Sequence, residues 1–188
     1  MPTVLQFRRG TTAQNNAFTG SAGEVSIDTT KQALVVHDGS TAGGFVTASR
    51  ESLYADIAER YHADDNYQPG TVLEHGGENE VTKTTSGVST KIIGVVSSNP
   101  YCIMNSPYDQ PEMRDNAVHP AIALLGRTPT FVTGPCSKGD LMVSSNNSGC
   151  AMAWTDNTNP PAGSIIGKAV ENKLDDETGI IEILIGRN

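Results

Sequence analysis

From residue 71 to the C terminus the chain is a series of short apolar runs, each cut off by a glycine-bearing or acidic turn. The runs are TVL (71–73), EVT (80–82), KIIGVVS (91–97), AIALLGR (121–127), TFVT (130–133), GDLMVS (139–144), CAMAW (150–154), IIGKAV (165–170) and IIEILI (180–185). The stretch 91–97 is strongly β-branched and reads as a buried strand. The loop His75-Gly76-Gly77-Glu78-Asn79 joins the first two runs as a hairpin, Asn146-Asn147-Ser148-Gly149 turns 139–144 back on 150–154, and Asp175-Asp176-Glu177-Thr178-Gly179 does the same for the last two. Strands recurring every eight to twelve residues with glycine turns predict a small β-barrel or β-sandwich. One segment breaks the rhythm. Residues 98–118 hold Pro100, Pro107 and Pro111 and few apolar side chains, which predicts a long loop acting as an arm or interface element.

A smaller β pattern occupies residues 1–50. VLQFRRG (4–10), EVSID (24–28), ALVVH (33–37) and GGFV (43–46) read as strands, with turns at 29–32 and at Asp38-Gly39. Thr11 to Gly23 has room for one helical turn. Two or three strands carrying half a dozen large apolar residues are marginal alone in water. The apolar face of this module is therefore expected to dock on copies of itself or on another protein.

Between the two lies ESLYADIAERYHADDNYQPG (51–70). Leu53, Tyr54, Ile57, Ala58 and Tyr61 recur at helical spacing, with Asp56, Glu59 and Arg60 opposite, and Ser49 or Ser52 stands at the start as a cap. Asp64, Asp65, Asn66 and Pro69-Gly70 end the pattern. The reading is a mainly β chain in three parts: a β-hairpin module (1–49), one connecting helix (50–66) and a barrel-like domain (67–188). Leu53, Tyr54, Ile57 and Tyr61 are the expected oligomer interface, packed on the barrel or on sister helices.

Composition narrows the function. A net charge of −8 argues against nucleic acid, whose phosphates need clustered Lys and Arg. No apolar run approaches the ~20 residues that cross a bilayer, and the N terminus does not begin as a signal peptide, so a soluble chain without membrane contact is expected. With 37% hydrophobic and 5% aromatic residues the core is thin, and association is expected to supply part of the stability. Cys102, Cys136 and Cys150 form no CxxC pair and read as small buried residues in a reducing compartment.

Groups able to carry chemistry are sparse. Ser97-Ser98, at the end of the 91–97 strand, is the best nucleophile candidate, but it needs a base, and His62, His75 and His119 are distant in sequence. Asp64-Asp65-Asn66 and Asp175-Asp176-Glu177 offer oxygens without the spacing of a calcium loop. His37 and His75 fall in turns, where ordinary hydrogen bonding is expected. Gly43-Gly44 and Gly76-Gly77 lack the Lys-Ser/Thr of a phosphate loop. Trp154, with Tyr101 and Tyr108, offers either a core side chain or a sugar-stacking face. No enzyme, cofactor or metal site is expected.

Two stretches bear a resemblance. RRG at 8–10, AGE at 22–24 before a strand ending in Asp28, and a strand ending in HDG at 37–39 resemble the small N-terminal module of bacteriophage tail-fibre and tropism-determinant proteins. That resemblance covers most of residues 5–46 and implies a non-catalytic module that trimerises, attaches or spaces. YADIAERYHADDNYQPGTVLE, IIGVVSSNP and the terminal pair IIGKAVE and IEILIGR are similar to C-terminal domains of phage fibres and to the self-cleaving chaperone domain of neck appendages. The implied function is a trimeric virion structural protein of tail-fibre type, assembled in the host cytoplasm, with other virion proteins as partners. A capsid decoration protein, a self-cleaving intramolecular chaperone and a lectin module with a host-surface glycan as partner are the alternatives. No fibre shaft separates the two modules, which favours a short appendage.

Overall fold

The computed structural model describes residues 6–47, 56–107 and 110–186, which fall into two compact units on either side of position 53. The first unit is a four-stranded sheet of β1 (Arg8–Gly10), β2 (Val25–Asp28), β3 (Ala33–Val36) and β4 (Phe45–Val46), in that order across the sheet. β1 runs parallel to β2, and the remaining pairs are antiparallel. The helical turn expected between 11 and 23 is α1 (Thr12–Asn16). Thr11 caps it, and Gln14 answers with its side chain on the Thr11 N–H, a reciprocal capping box that holds a five-residue helix otherwise too short to persist.

The second unit is built on β10 (Ala121–Thr133), a thirteen-residue strand where the sequence reads as two runs. Pro129 lies inside it without breaking it. Phe131 N–H points away from the neighbouring β14 (Thr178–Ile185) and bonds Gly70 O at 2.9 Å. Two residues back, Pro129 lacks its N–H on that same side, between the pairing of Ala121–Gly126 with residues 56–60 and the contact of Val132 with Ala151.

β10 and β14 pair in register from Gly126 with Ile185 to Thr133 with Thr178. β14 then pairs with β13 (Ile165–Ala169), β13 with β11 (Leu141–Ser144), and β11 with β12 (Ala151–Ala153). The parallel contact of Val132 with Ala151 returns to β10 and closes a five-stranded barrel. Its interior holds Val132, Met142, Ala151, Ile166, Ile181, Ile183 and Ile185, all buried. The alternation of Ile181, Ile183 and Ile185 with Glu182 and Leu184 along β14 is the strand period directing one face inward.

The other half of β10 extends the sheet. β8 (Ile92–Val96) pairs with it, β6 (Val72–His75) with β8, and β7 (Val81–Lys83) with β6. A second cluster of Leu73, Val81, Val96 and Ile122 lies there.

The connecting helix is not what residues 56–60 form. They are β5 (Asp56–Arg60), antiparallel to β10 and parallel to β9 (Cys102–Met104). Asp56, Ala58 and Arg60 are buried in alternation, so the segment follows a two-residue period rather than the helical one. Two ladders fix more backbone donors than a short helix would, and pairing overrode local propensity. Leu53 and Tyr54 lie outside the described residues. The expected loop 98–118 contains β9 and a 3-10 turn at Pro111–Arg114.

Candidate interaction surface

The first unit buries a connected set of polar side chains beside Ala33 and Val35 and leaves several of its large apolar ones exposed. On the inward face Gly20 N–H donates to His37 Nδ1 (3.3 Å), which leaves the proton on Nε2 to be donated to Ser26 Oγ (2.9 Å). Ser26 in turn donates to Asn15 Oδ1 (3.0 Å), and Asn15 Nδ2 bonds the carbonyls of Gly10 and Thr11. Asn15, Ser26 and His37 are all nearly inaccessible. Phe18 sits edge-on to the His37 ring, with Arg8 over its own face at 4.4 Å. A Cβ on Gly20 would stand 2.5 Å from His37 Cγ, so only glycine lets the loop close over the imidazole. Asp28 is buried beside this relay. Burial raises its carboxyl, but bonds from the Lys31 and Thr30 N–H groups and the Thr12 hydroxyl outweigh that and hold it below the ordinary Asp value.

Ser26 beside His37 is a nucleophile next to a base, a juxtaposition absent from the sequence reading of this module. Both are closed to solvent, and Ser26 spends its proton on Asn15, so the pair is structural. Ala33 and Val35 are the buried apolar side chains among the described residues of this unit.

The opposite face carries the rest. The registers Val25 with Val36, Ile27 with Leu34, and Val36 with Phe45 put these side chains on one surface, with Arg9 beside Ile27. Leu34 (45%), Val36 (39%) and Phe45 (50%) are exposed, as is Phe7 (51%) just before β1. An apolar sheet face left open beside a hydrogen-bonded interior is a candidate interaction surface.

In the second unit the expected interface residues diverge. Ile57 points outward, opposite Leu125 and Cys102 and near Met104, all exposed. Tyr61 is half-buried against the Leu73 and Val81 cluster, and its hydroxyl donates to Glu59 (2.9 Å). Burial and Glu59 push that phenol up to about 12.

Ser97, the residue after β8, is half-buried and accepts from Asn99 N–H at 3.3 Å. Its neighbour is a carboxyl, not an imidazole. Asp56 is buried, which raises its pKa, with the Ser97 side chain working in the opposite direction. Asp56 Oδ2 and Thr128 Oγ1 are buried without hydrogen-bond partners among the described residues. The histidines are engaged elsewhere: His62 stacks on His119 (4.9 Å) and His75 sits edge-on to Tyr61 (6.0 Å).

The acidic turns satisfy themselves. Asp64 Oδ1 accepts from the N–H groups of Glu78 and Asn79, and those bonds hold its carboxyl low. Asp175 binds Lys173 Nζ (2.6 Å), and that ammonium also donates to the carbonyls of Asp175 and Glu177. Lys173 is 7% exposed, and its position inside a loop gave no signal in the sequence. Nor did that of Arg60, which is buried and bonded to Ser106, Asn116 and the His119 carbonyl. Trp154 is half-buried, with its indole N–H on Thr158 O, and Tyr101 is exposed; Tyr108 lies outside the described residues. Cys136 and Cys150 are buried as expected, whereas Cys102 is exposed on β9.

Known proteins give this geometry a context. A tail fiber receptor-binding protein of Bordetella phage BPP-1 is 57% identical over 88 residues, 42% of this chain, but the match spans 23% of that protein. Among solved structures, Major Tropism Determinant variants I1 and P3c are 21% and 19% identical. The alignments cover 90% and 92% of this chain and 38% and 43% of theirs, with a TM-score of 0.25 in both cases, too low to carry a fold argument. The stretch that holds the polar relay and most of the exposed apolar face, residues 5–41, matches the Major tropism determinant N-terminal domain.

Proposed function

We propose that the chain is a non-enzymatic structural component of a bacteriophage virion, an appendage of tail-fibre type whose N-terminal module joins copies of the chain into a trimer. The observation that carries this reading is the open face of Phe7, Leu34, Val36 and Phe45 on a module of tropism-determinant pattern. Its interior is already satisfied by hydrogen bonds, so folding alone does not cover that face. Burying several such side chains at roughly 1.5–3 kcal/mol each supplies the association energy. Ile57, beside Leu125 and Met104, belongs to a second contact strip on the barrel unit. Other virion proteins and a host receptor are the remaining partners.

Analytical ultracentrifugation of the full chain tests this. A trimer is expected at micromolar concentration, and Leu34→Asp with Phe45→Asp should yield folded monomer. A wild-type monomer would refute the proposal. Labelling the protein on intact particles separates a tail position from the capsid shell, the site a decoration protein would occupy.

A further inference from the structure

We propose that the barrel unit binds a neutral sugar in the cleft between the 65–70 turn, Phe131 of β10 and the 146–149 turn. The cleft measures about 390 Å³, within the range of small-molecule sites. Two half-buried rings, Tyr67 and Phe131, line it together with Asp65, Gln68, Lys83 and Asn147. A hexopyranose needs this combination: an aromatic surface for its C–H face, and mixed donors and acceptors for its hydroxyls. The walls are fixed in advance. Tyr67 Oη is tied to Thr82 (3.2 Å), and Asn147 Nδ2 donates to Thr133 (3.1 Å) and Thr178 (2.9 Å), which commits both amide protons and leaves Oδ1 to accept from a ligand hydroxyl. Gly70, at φ +96°, lets the turn lie against the Phe131 ring, where a Cβ would come within 3.3 Å. One carboxylate and one ammonium among these residues balance, so the chemistry selects a neutral polyol over an anion. None of this depends on where the protein sits in a particle.

The test is an amide NMR titration of the full chain with glucose, galactose, mannose and N-acetylglucosamine, each from about 1 to 50 mM, a range that brackets a weak single-sugar site. At least one sugar is expected to give saturable shifts confined to 65–71, 83, 131 and 146–150, with glycerol giving none. Tyr67→Ala and Asn147→Ala should each weaken binding at least about tenfold, while their spectra elsewhere match the wild type. Absence of saturable shifts for all four sugars, shifts centred elsewhere, or undiminished binding by both folded variants would overturn the assignment.

Discussion

Ser26→Ala is the sharpest test of the inverted N-terminal module. The substitution removes one oxygen and leaves no cavity of consequence, so its whole effect runs through hydrogen bonding. His37 Nε2 and Asn15 Oδ1, bonded to Ser26 at 2.9 and 3.0 Å, are both left buried and unpaired. At about 1–3 kcal/mol for each unsatisfied group, the cost is roughly 2–6 kcal/mol. A unit of this size is worth only about 3–8 kcal/mol at ordinary stability per residue, so much of its stability should disappear. The first unit contains no Trp or Tyr, whereas Trp154 reports on the barrel, so hydrogen exchange read by mass spectrometry on the full chain is the suitable assay. Peptides covering 24–37 should lose protection by several tens-fold or more, and those covering 121–133 should not change. A loss below about 0.5 kcal/mol in the 24–37 peptides would mean that the relay does not hold the module together.

Asp56→Asn should flatten the pH dependence of barrel stability. Burial raises the folded-state pKa of Asp56, so its contribution is fully present below the unfolded value of 3.8 and is lost as pH rises through the folded value; urea midpoints followed by Trp154 fluorescence across that window should slope in the wild type and less in the variant, and parallel slopes would contradict this. Gly167→Ala should destabilise the barrel by about 1–3 kcal/mol, because a Cβ there would press into the Leu184 carbonyl of the paired strand; an unchanged urea midpoint would refute that. The intact mass of the folded chain should stay constant over a day, alone and as the Ser97→Ala, Ser98→Ala variant, whereas a specific cut confined to the wild type would revive the self-cleaving chaperone.

The strands were legible wherever the chain itself states a period. IIEILI alternates and became β14, KIIGVVS is β-branched and became β8, and DG and SG turns ended runs where they should. The segment 56–60 was not legible in this way, because Ile57, Ala58 and Tyr61 satisfy a helical spacing as well as an extended one. What decides is a partner 61 to 70 residues further along the chain, the Ala121–Gly126 half of β10, and no local pattern announces it. The polar relay was hidden for the same reason. Asn15, Ser26 and His37 stand 11 residues apart in two steps and meet only through the β2–β3 register and the capped turn of α1.

The two units solve the problem of a thin hydrophobic supply in opposite ways. The barrel closes on itself, so nearly every large side chain of β10, β11, β13 and β14 that points inward finds another. Four short strands cannot close. The first unit has only one covered side, and α1 with its flanking loops fills that side with backbone carbonyls and glycines. Ala33 and Val35 are the apolar side chains buried there among the described residues, and apolar replacements of their polar neighbours would strand those backbone groups without partners. Asn15, Ser26, Asp28 and His37 satisfy them instead, and Leu34, Val36 and Phe45 are consigned to the other face. The polarity of the interior and the exposure of the apolar face are therefore one fact. A substitution that made the inside oilier would not make the module self-sufficient; it would leave the loop backbone unpaired and the outer face still open. Under the proposed trimer, a neighbouring chain covers that outer face and adds to the stability the module has by itself.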